Sequence, residues 1–407
     1  DFIHQQCLRF VANREQKLKT MPIDRLYLAV DRQYYEVNWT QRKDKRNVVL
    51  MALATSDNQT GYVFGMNINF NSKLDKIDIE KQAELIQDYL QQEPFKHYAH
   101  LWLEKDYDKA VKNKISKKYP SSLQGEIEEQ YQQAIQRQDI EAFDTKTSEQ
   151  KLPDYGIQIR AEYTMIAHFY FLRQLLGNVG KFRFFLDQES GIRSACLSAF
   201  QKEIANKTCE AFYVRIEKEL TVDQKRKLKR EADKRLKKLR DEHIGLSDYE
   251  IKLIALKENI ANLKELGSFK DKWVNHPFPS MSEANKAMCW LTEHKTFDAD
   301  HIANLYDKAS LHSVDSFFMK VRRRIAMLER PIHSASSYGR TWNGYGAYNP
   351  AMVGKLLDIF RVVHNYIDVK EIKTKSNGKT VITRTTPAKE LGLAKAVLDY
   401  KDILYYE

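Results

Sequence analysis

The 407-residue chain reads as an α/β protein: a mixed sheet flanked by helices and interrupted by helical insertions. Three observations lead there. Residues 26–39, 48–55 and 62–70 are consecutive strand-like runs joined by short polar turns, the pattern of an antiparallel meander. Two later apolar runs, 182–186 and 209–216, alternate with segments of helical spacing. Glycine (15) and proline (9) are scarce while 43% of residues are hydrophobic and 30% charged, which describes a folded, helix-rich chain rather than a disordered one.

In order, residues 1–20 carry helical spacing at Cys7, Phe10 and Val11 and stop at Met21-Pro22, as a short connecting helix does. The three strand-like runs follow, the first passing through LYLAVD to Asp31, and residues 77–89 form a rough amphipathic helix. Residues 93–151 are polar, with a helix through GEIEEQYQQAIQRQDIEAF, and read as a solvated helical insertion or a partner surface. Residues 158–176 are an apolar helix, stopped at Gly177 to Gly180 and expected to pack under the strand 182–186; His168 within it reads as a core histidine. That strand ends on Asp187, after which Ser190 is placed to cap a helix reaching Phe200.

Residues 220–242, with KRKLKREADKRLKKLRDEH, are first a solvated helix face; nucleic-acid contact is the second reading. A further helix is expected over 247–266, a break at 275–279, and a helix from Ser282 through Leu291. Leu311, Val314, Phe318, Val321, Ile325 and Leu328 recur at three- and four-residue steps, predicting one helix over 311–330 with Asp315 beside its apolar face and Arg322 two turns along the same side. The stretch 334–350 combines glycines with Arg340, Trp342 and several tyrosines, a loop that either stacks on bases and grips phosphate or folds over its own aromatics. An apolar helix over 352–367 and a basic tail, with a hairpin turn at Asn377-Gly378, complete the chain.

A net charge of +11 and a pI near 9.1 favour polyanionic partners, nucleic acid before acidic membrane. No apolar run approaches the roughly 20 residues that span a bilayer. Cys7, Cys196, Cys209 and Cys289 form no C-x-x-C pair, which argues against a zinc ribbon or a disulfide framework. A cytoplasmic protein with no membrane association is expected.

Asp31, Asp187 and Asp315 stand out together. Hard divalent ions take oxygen ligands, and a few convergent carboxylates holding two of them, Mg²⁺ or Mn²⁺, form a clamp for in-line attack on phosphate. Taken singly, each acid has a plainer role: Asp31 or Asp187 as a turn or helix cap, Asp315 as a surface acid paired with Lys320 or Arg322. Glu189 and Arg193 are placed to assist through phosphate or supporting hydrogen bonds.

The run LYLAVD at Asp31, FRFFLDQESGIR at Asp187 and HSVDSFFMKVRRR at Asp315 with Arg322 resembles the ribonuclease H-like, retroviral-integrase-like catalytic core of bacterial insertion-sequence transposases of the DDE type. LERPIHSASSYGRTWNGYGAYNP followed by MVGKLLDIFRVVHNYI resembles their carboxyl-terminal part. The resemblance implies an enzyme that binds double-stranded DNA at element ends, cuts by hydrolysis, and joins the freed 3′ hydroxyl to target DNA. It also implies a bacterial, nucleoid-associated home and at least a dimer on DNA, with Arg322, Arg340 and Trp342 as DNA contacts. Alternatives are a nuclease of the same fold that does not join strands, or an inactive DNA-binding protein derived from such an element. The third acid of the family is usually glutamate; Glu329 therefore competes with Asp315, although seven residues beyond Glu329 stands Ser336 rather than a basic residue. By this reading residues 1–25 connect to an upstream DNA-binding domain and 26–217 begin the core, with the insertion 93–151. A charged helical insertion fills 218–295, 296–367 complete the core, and 368–407 are a basic tail.

Overall fold

The computed structural model describes residues 1–92, 95–112, 122–136, 150–217, 220–267, 269–331, 342–376 and 379–406. In chain order these form α1 (Phe2–Gln16), β1 (Ile23–Val37), β2 (Val48–Asp57), β3 (Val63–Ile68), β4 (Phe70–Asn71), α2 (Lys76–Leu85), α3 (Glu104–Lys112), α4 (Leu123–Gln136), β5 (Ile157–Gln158), α5 (Ala161–Leu175), β6 (Val179–Asp187), α6 (Ser190–Ala199), α7 (Gln201–Ala205) and β7 (Cys209–Ile216). There follow α8 (Val222–Glu242), α9 (Asp248–Ala261), β8 (Lys264–Leu266), β9 (Asp271–Asn275), β10 (Lys286–Trp290), α10 (Ala299–Lys308), α11 (His312–Arg324), α12 (Pro350–Tyr366), β11 (Lys370–Ser376), β12 (Lys379–Thr385), α13 (Pro387–Leu391) and α14 (Tyr400–Leu404).

The expected mixed sheet flanked by helices is present, with eight strands in the order β3-β2-β1-β6-β7-β10-β9-β8. β1, β2 and β3 form the antiparallel meander, and β6 then lies parallel to β1 and β7 parallel to β6. Alternation along β1 and β6 divides the core in two. Leu26, Leu28, Val30, Phe184 and Leu186 face one layer, packed with Phe169 and Leu172 of α5 and Cys196 of α6. Tyr27, Ala29 and Phe185 face the other, covered by Val314, Phe317, Phe318 and Val321 of α11 and by Leu357 of α12.

Several elements depart from the sequence reading. β1 runs through Asp31 as the 26–39 stretch implies, pairing with β2 as far as Val37↔Val48, but its pairing with β6 stops at Val30↔Leu186. Residues 218–295 are not wholly helical, because β8, β9 and β10 extend the sheet beyond β7. The helix expected from Ser282 is instead the strand KAMCW, buried along its length between β7 and β9; a short continuous apolar run fits a buried strand as readily as a helix. α6 begins at Ser190 with Glu189 in the cap position. α4 is more than a solvated helix, since Leu123, Ile127 and Tyr131 pack into the core with Leu266 and Trp273. The carboxyl-terminal tail is ordered, with the hairpin β11–β12 and α13 and α14, whose Ala388 and Ile403 also join the core; the turn at Asn377-Gly378 lies outside the described residues. α1 is likewise a packed element, with Phe10 set edge-on against Tyr366 and Tyr406.

His168 is the core histidine the sequence suggests, fully buried on α5. Its Nδ1–H donates to Asn67 Oδ1 at 2.6 Å, and Nε2 accepts from the Thr55 hydroxyl at 2.7 Å. Burial pushes its pKa down to about 3. Below an unfolded-state value of about 6.5 the unfolded chain binds a proton that the folded chain refuses, so stability falls as pH drops from there toward about 3, by at most about 1.4 kcal/mol per pH unit. His168→Gln, which keeps hydrogen-bonding capacity without titrating, is expected to flatten that part of the stability profile; pH-dependent denaturant melts measure it, and an unaltered slope would remove His168 as the cause.

Candidate functional site

Asp31 and Asp187 each stand one residue past the last pair that joins β1 to β6. Ala29 is opposite Phe185 and Val30 opposite Leu186 in the parallel register, so the next positions of the two strands are the two aspartates. In-register residues of adjacent parallel strands point to one face, and the strands lie about 4.8 Å apart. Both acids follow the layer of Ala29 and Phe185, the face that α11 covers. At this point β1 loses its parallel neighbour and runs on alone beside β2, which opens the sheet just beyond the two acids.

α11 presents two stripes. Val314, Phe317, Phe318 and Val321 face the sheet, while His312, Asp315, Met319 and Arg322, at steps of three and four, line an open cleft of about 960 Å³ together with Asp31. Asp315 therefore shares a cavity with Asp31, as does the Arg322 expected on the same side. Asp187 is half-buried at the strand end and is not among the residues lining that cleft. Glu329 also lines it, but from a different element: the helix stops at Arg324, Ile325 is extended, and Glu329 follows a short 3-10 turn over Ala326–Leu328. The single helix expected over 311–330 is thus broken.

Asp31 is buried, and its Oδ1 accepts from the Arg32 backbone N–H at 2.7 Å. The Arg32 guanidinium turns back across the sheet to Glu189, Nη2 to Oε2 at 2.5 Å, and also lies over the Tyr34 ring. Glu189 is nearly inaccessible and its carbonyl accepts from the Tyr213 hydroxyl. The Arg32–Glu189 pair ties β1 to the second residue past the β6 end, near both acids in the chain. Sequence reading missed Arg32; its adjacency to an acid on an apolar strand was the available signal. Arg193 is engaged elsewhere, bonded to Asp271 of β9 at 2.6 Å in a network with the Tyr131 hydroxyl, so the phosphate-holding role expected of it gives way to a structural one. Lys320 pairs with Asp368 at 3.0 Å rather than with Asp315.

The cleft is electrostatically mixed. Its cations include Arg32, Lys225 from the start of α8, Arg322 and Arg330. Burial depresses the Arg322 guanidinium, Arg330 adds to this, and Tyr35, Glu329 and Asp315 oppose it. Tyr35, almost fully buried behind Asp31 on the same face of β1, has its phenol pushed well up by desolvation.

The aromatic loop is tied to the far end of β1. Asn38 donates through Nδ2 to the Asn343 carbonyl at 2.5 Å and accepts from the Asn343 N–H, while its own N–H donates to the Ala347 carbonyl. Trp342, Tyr345 and Tyr348 are 46%, 76% and 45% exposed, and the Trp342 ring lies beside Gly344 of the same loop. Asn38 lies seven residues beyond Asp31, roughly 23 Å along an extended strand, which separates these rings from the acids. Arg340 lies outside the described residues.

The donor set suits a hard cation: carboxylate oxygens on one face, one pair of them in register, and a third on the helix above. Among the described residues, no three histidine, cysteine, aspartate or glutamate side chains are already gathered for a metal ion. No helix among the described residues is long and apolar enough to cross a membrane. No family model, no curated protein and no solved structure matches the chain.

Proposed function

We propose that the chain is a divalent-metal-dependent DNA transposase of the DDE type with a ribonuclease H-like core, which cuts DNA strands at element ends and joins them to a target. One observation carries the reading: Asp31 and Asp187 each follow the last register pair, Val30↔Leu186, of adjacent parallel strands, on the face overlaid by the helix that bears Asp315. The three-strand meander followed by a parallel strand bearing the second acid is also the arrangement that the sequence resemblance implies.

In this reading Asp31, Asp187 and Asp315 hold Mg²⁺ or Mn²⁺. Two such ions, when bound, activate the attacking hydroxyl and stabilise the leaving oxygen. The chain's own part is positioning. The Arg32–Glu189 pair fixes the backbone around the acids, Arg322 offers a cation to a phosphate in the cleft, and the exposed loop rings offer stacking surfaces to nucleotides farther along. Glu329 lines the same cleft and remains the competing third ligand.

The test is incubation with Mg²⁺ and labelled duplexes carrying the DNA ends that flank the coding sequence. Nicked strands and joined products are the expected result. Cleavage without joining would favour the non-joining nuclease, and binding alone the inactive DNA-binding protein. Arg322→Gln is expected to weaken cleavage about 10- to 100-fold while leaving the melting temperature within a few degrees, as loss of one charge-assisted phosphate contact of roughly 1.5–3 kcal/mol would do. Single-turnover kinetics measure it, and full activity would remove Arg322 from the site.

A further inference from the structure

α8 is amphipathic in charge as well as in hydropathy. Ala232, Leu236 and Leu239 turn inward; Leu236 and Leu239 pack with Ile251 and Ala255 of α9 and with Phe278. Around the helix, Arg226, Lys229, Arg235, Lys238 and Arg240 are each bound to a carboxylate: Asp223, Asp233, Glu258, Glu242 and Asp248. Lys227, Arg230, Lys234 and Lys237 are different. All four are exposed, and none has an ion-pair partner among the described residues. Their steps of three, four and three residues set them within an arc of about 80°, on a line about 15 Å long, on the side opposite the apolar residues.

We propose that this stripe is a docking surface for the phosphodiester backbone of duplex DNA, an assignment that rests on the transposase reading. Unpaired cations in a row on a rigid helix neutralise successive phosphates without reading sequence. Position on the same helix as the cleft supports the assignment: Lys225, two residues before Lys227 and on the opposite side of α8, lines the cavity of Asp31 and Asp315, so the helix carries cations both on that cavity and on its far side. α8 thus spans from the reacting centre to the outer surface. An anionic membrane fits less well: an interfacial helix inserts an apolar face, and the apolar face of α8 is occupied by α9.

The experiment compares two quadruple variants of the full chain by the salt dependence of binding to a duplex, with circular dichroism and melting curves to verify folding. One variant carries Lys227→Gln, Arg230→Gln, Lys234→Gln and Lys237→Gln. The other carries Arg226→Gln, Lys229→Gln, Arg235→Gln and Lys238→Gln, removing the same charge from paired positions. The first is expected to make the slope of log K against log salt shallower by up to about 3.6, at about 0.9 per lost phosphate contact, and the second to change it far less. Equal changes in both, an unchanged slope in the first, or loss of binding to phosphatidylserine vesicles in place of DNA would each overturn the stripe. If the wild type cuts and joins DNA while the first variant keeps its slope, the stripe falls and the functional reading stands. If the slope changes as expected while Asp31→Asn cuts normally, the reverse holds. A wild type that binds no duplex overturns both.

Discussion

Asp187→Asn is expected to abolish metal-dependent cleavage and joining, with a loss of at least about 10³-fold, and Asp31→Asn to do the same. The replacement removes one charge and keeps the shape, so the backbone pairing of this position with Val214 is retained. A cation gripped by carboxylates depends on their full charge, and an amide cannot substitute. If the two residues hold the same ions, as proposed, the double variant should lose little more than either single one, since residues acting as a unit are not additive. Asp315→Asn and Glu329→Gln separate the candidates for the third ligand: the true one should approach the loss at Asp187, and the other should stay within about tenfold. Single-turnover cleavage at saturating Mg²⁺ gives the rates, and calorimetric titration with Mn²⁺ gives an independent readout of binding. Normal cleavage by folded Asp187→Asn would end the transposase proposal.

Glu15→Ala is expected to cost about 3–5 kcal/mol of stability, the penalty for stranding a buried charge. Glu15 on α1 receives Arg361 of α12 at 2.6 Å and the Tyr62 hydroxyl of the β2–β3 turn at 2.9 Å. Arg361 also donates to the carbonyls of Val63 and Phe64, so one guanidinium joins α1, β3 and α12. Burial by itself would depress that guanidinium, yet the Glu15 carboxylate carries it above its ordinary value. Denaturant melts should show the loss in Glu15→Ala and a much smaller one in Glu15→Leu with Arg361→Met, where the charge is removed from both sides. A single variant as stable as the wild type would mean that water reaches Arg361.

The sheet was legible in the sequence where periodicity and turns agree. The meander of β1, β2 and β3 followed from alternation and polar turns, and β6 and β7 from short apolar runs between helices. Reach was less legible than existence. Nothing in LYLAVD announces that the pairing with β6 stops at Val30 while β2 carries the strand on to Val37, because that depends on how far each neighbour reaches. KAMCW reads as helix or strand alike because four apolar residues after a lysine carry no period, and only the neighbours β7 and β9 decide the matter. The break between Asp315 and Glu329 did have a local signal: Arg322, Arg323 and Arg324 crowd the last turn of α11, where cations favour a helix end. Of the candidate site, the three aspartates were visible as strand and helix acids. The Arg32–Glu189 brace and the α8 stripe were not, since both depend on which charges find partners in three dimensions.

The outer strands carry a mechanical consequence. The excursion from β7 through α8 and α9 returns as β8, β9 and β10 and is laced back onto β7, which is itself laced to β6 and Asp187. A ladder of backbone bonds does not swing as a tether would, and α8 is fastened to it through its packing on α9 and Phe278. If the transposase and stripe proposals both hold, DNA gripped along α8 would be nicked at a set distance from the grip.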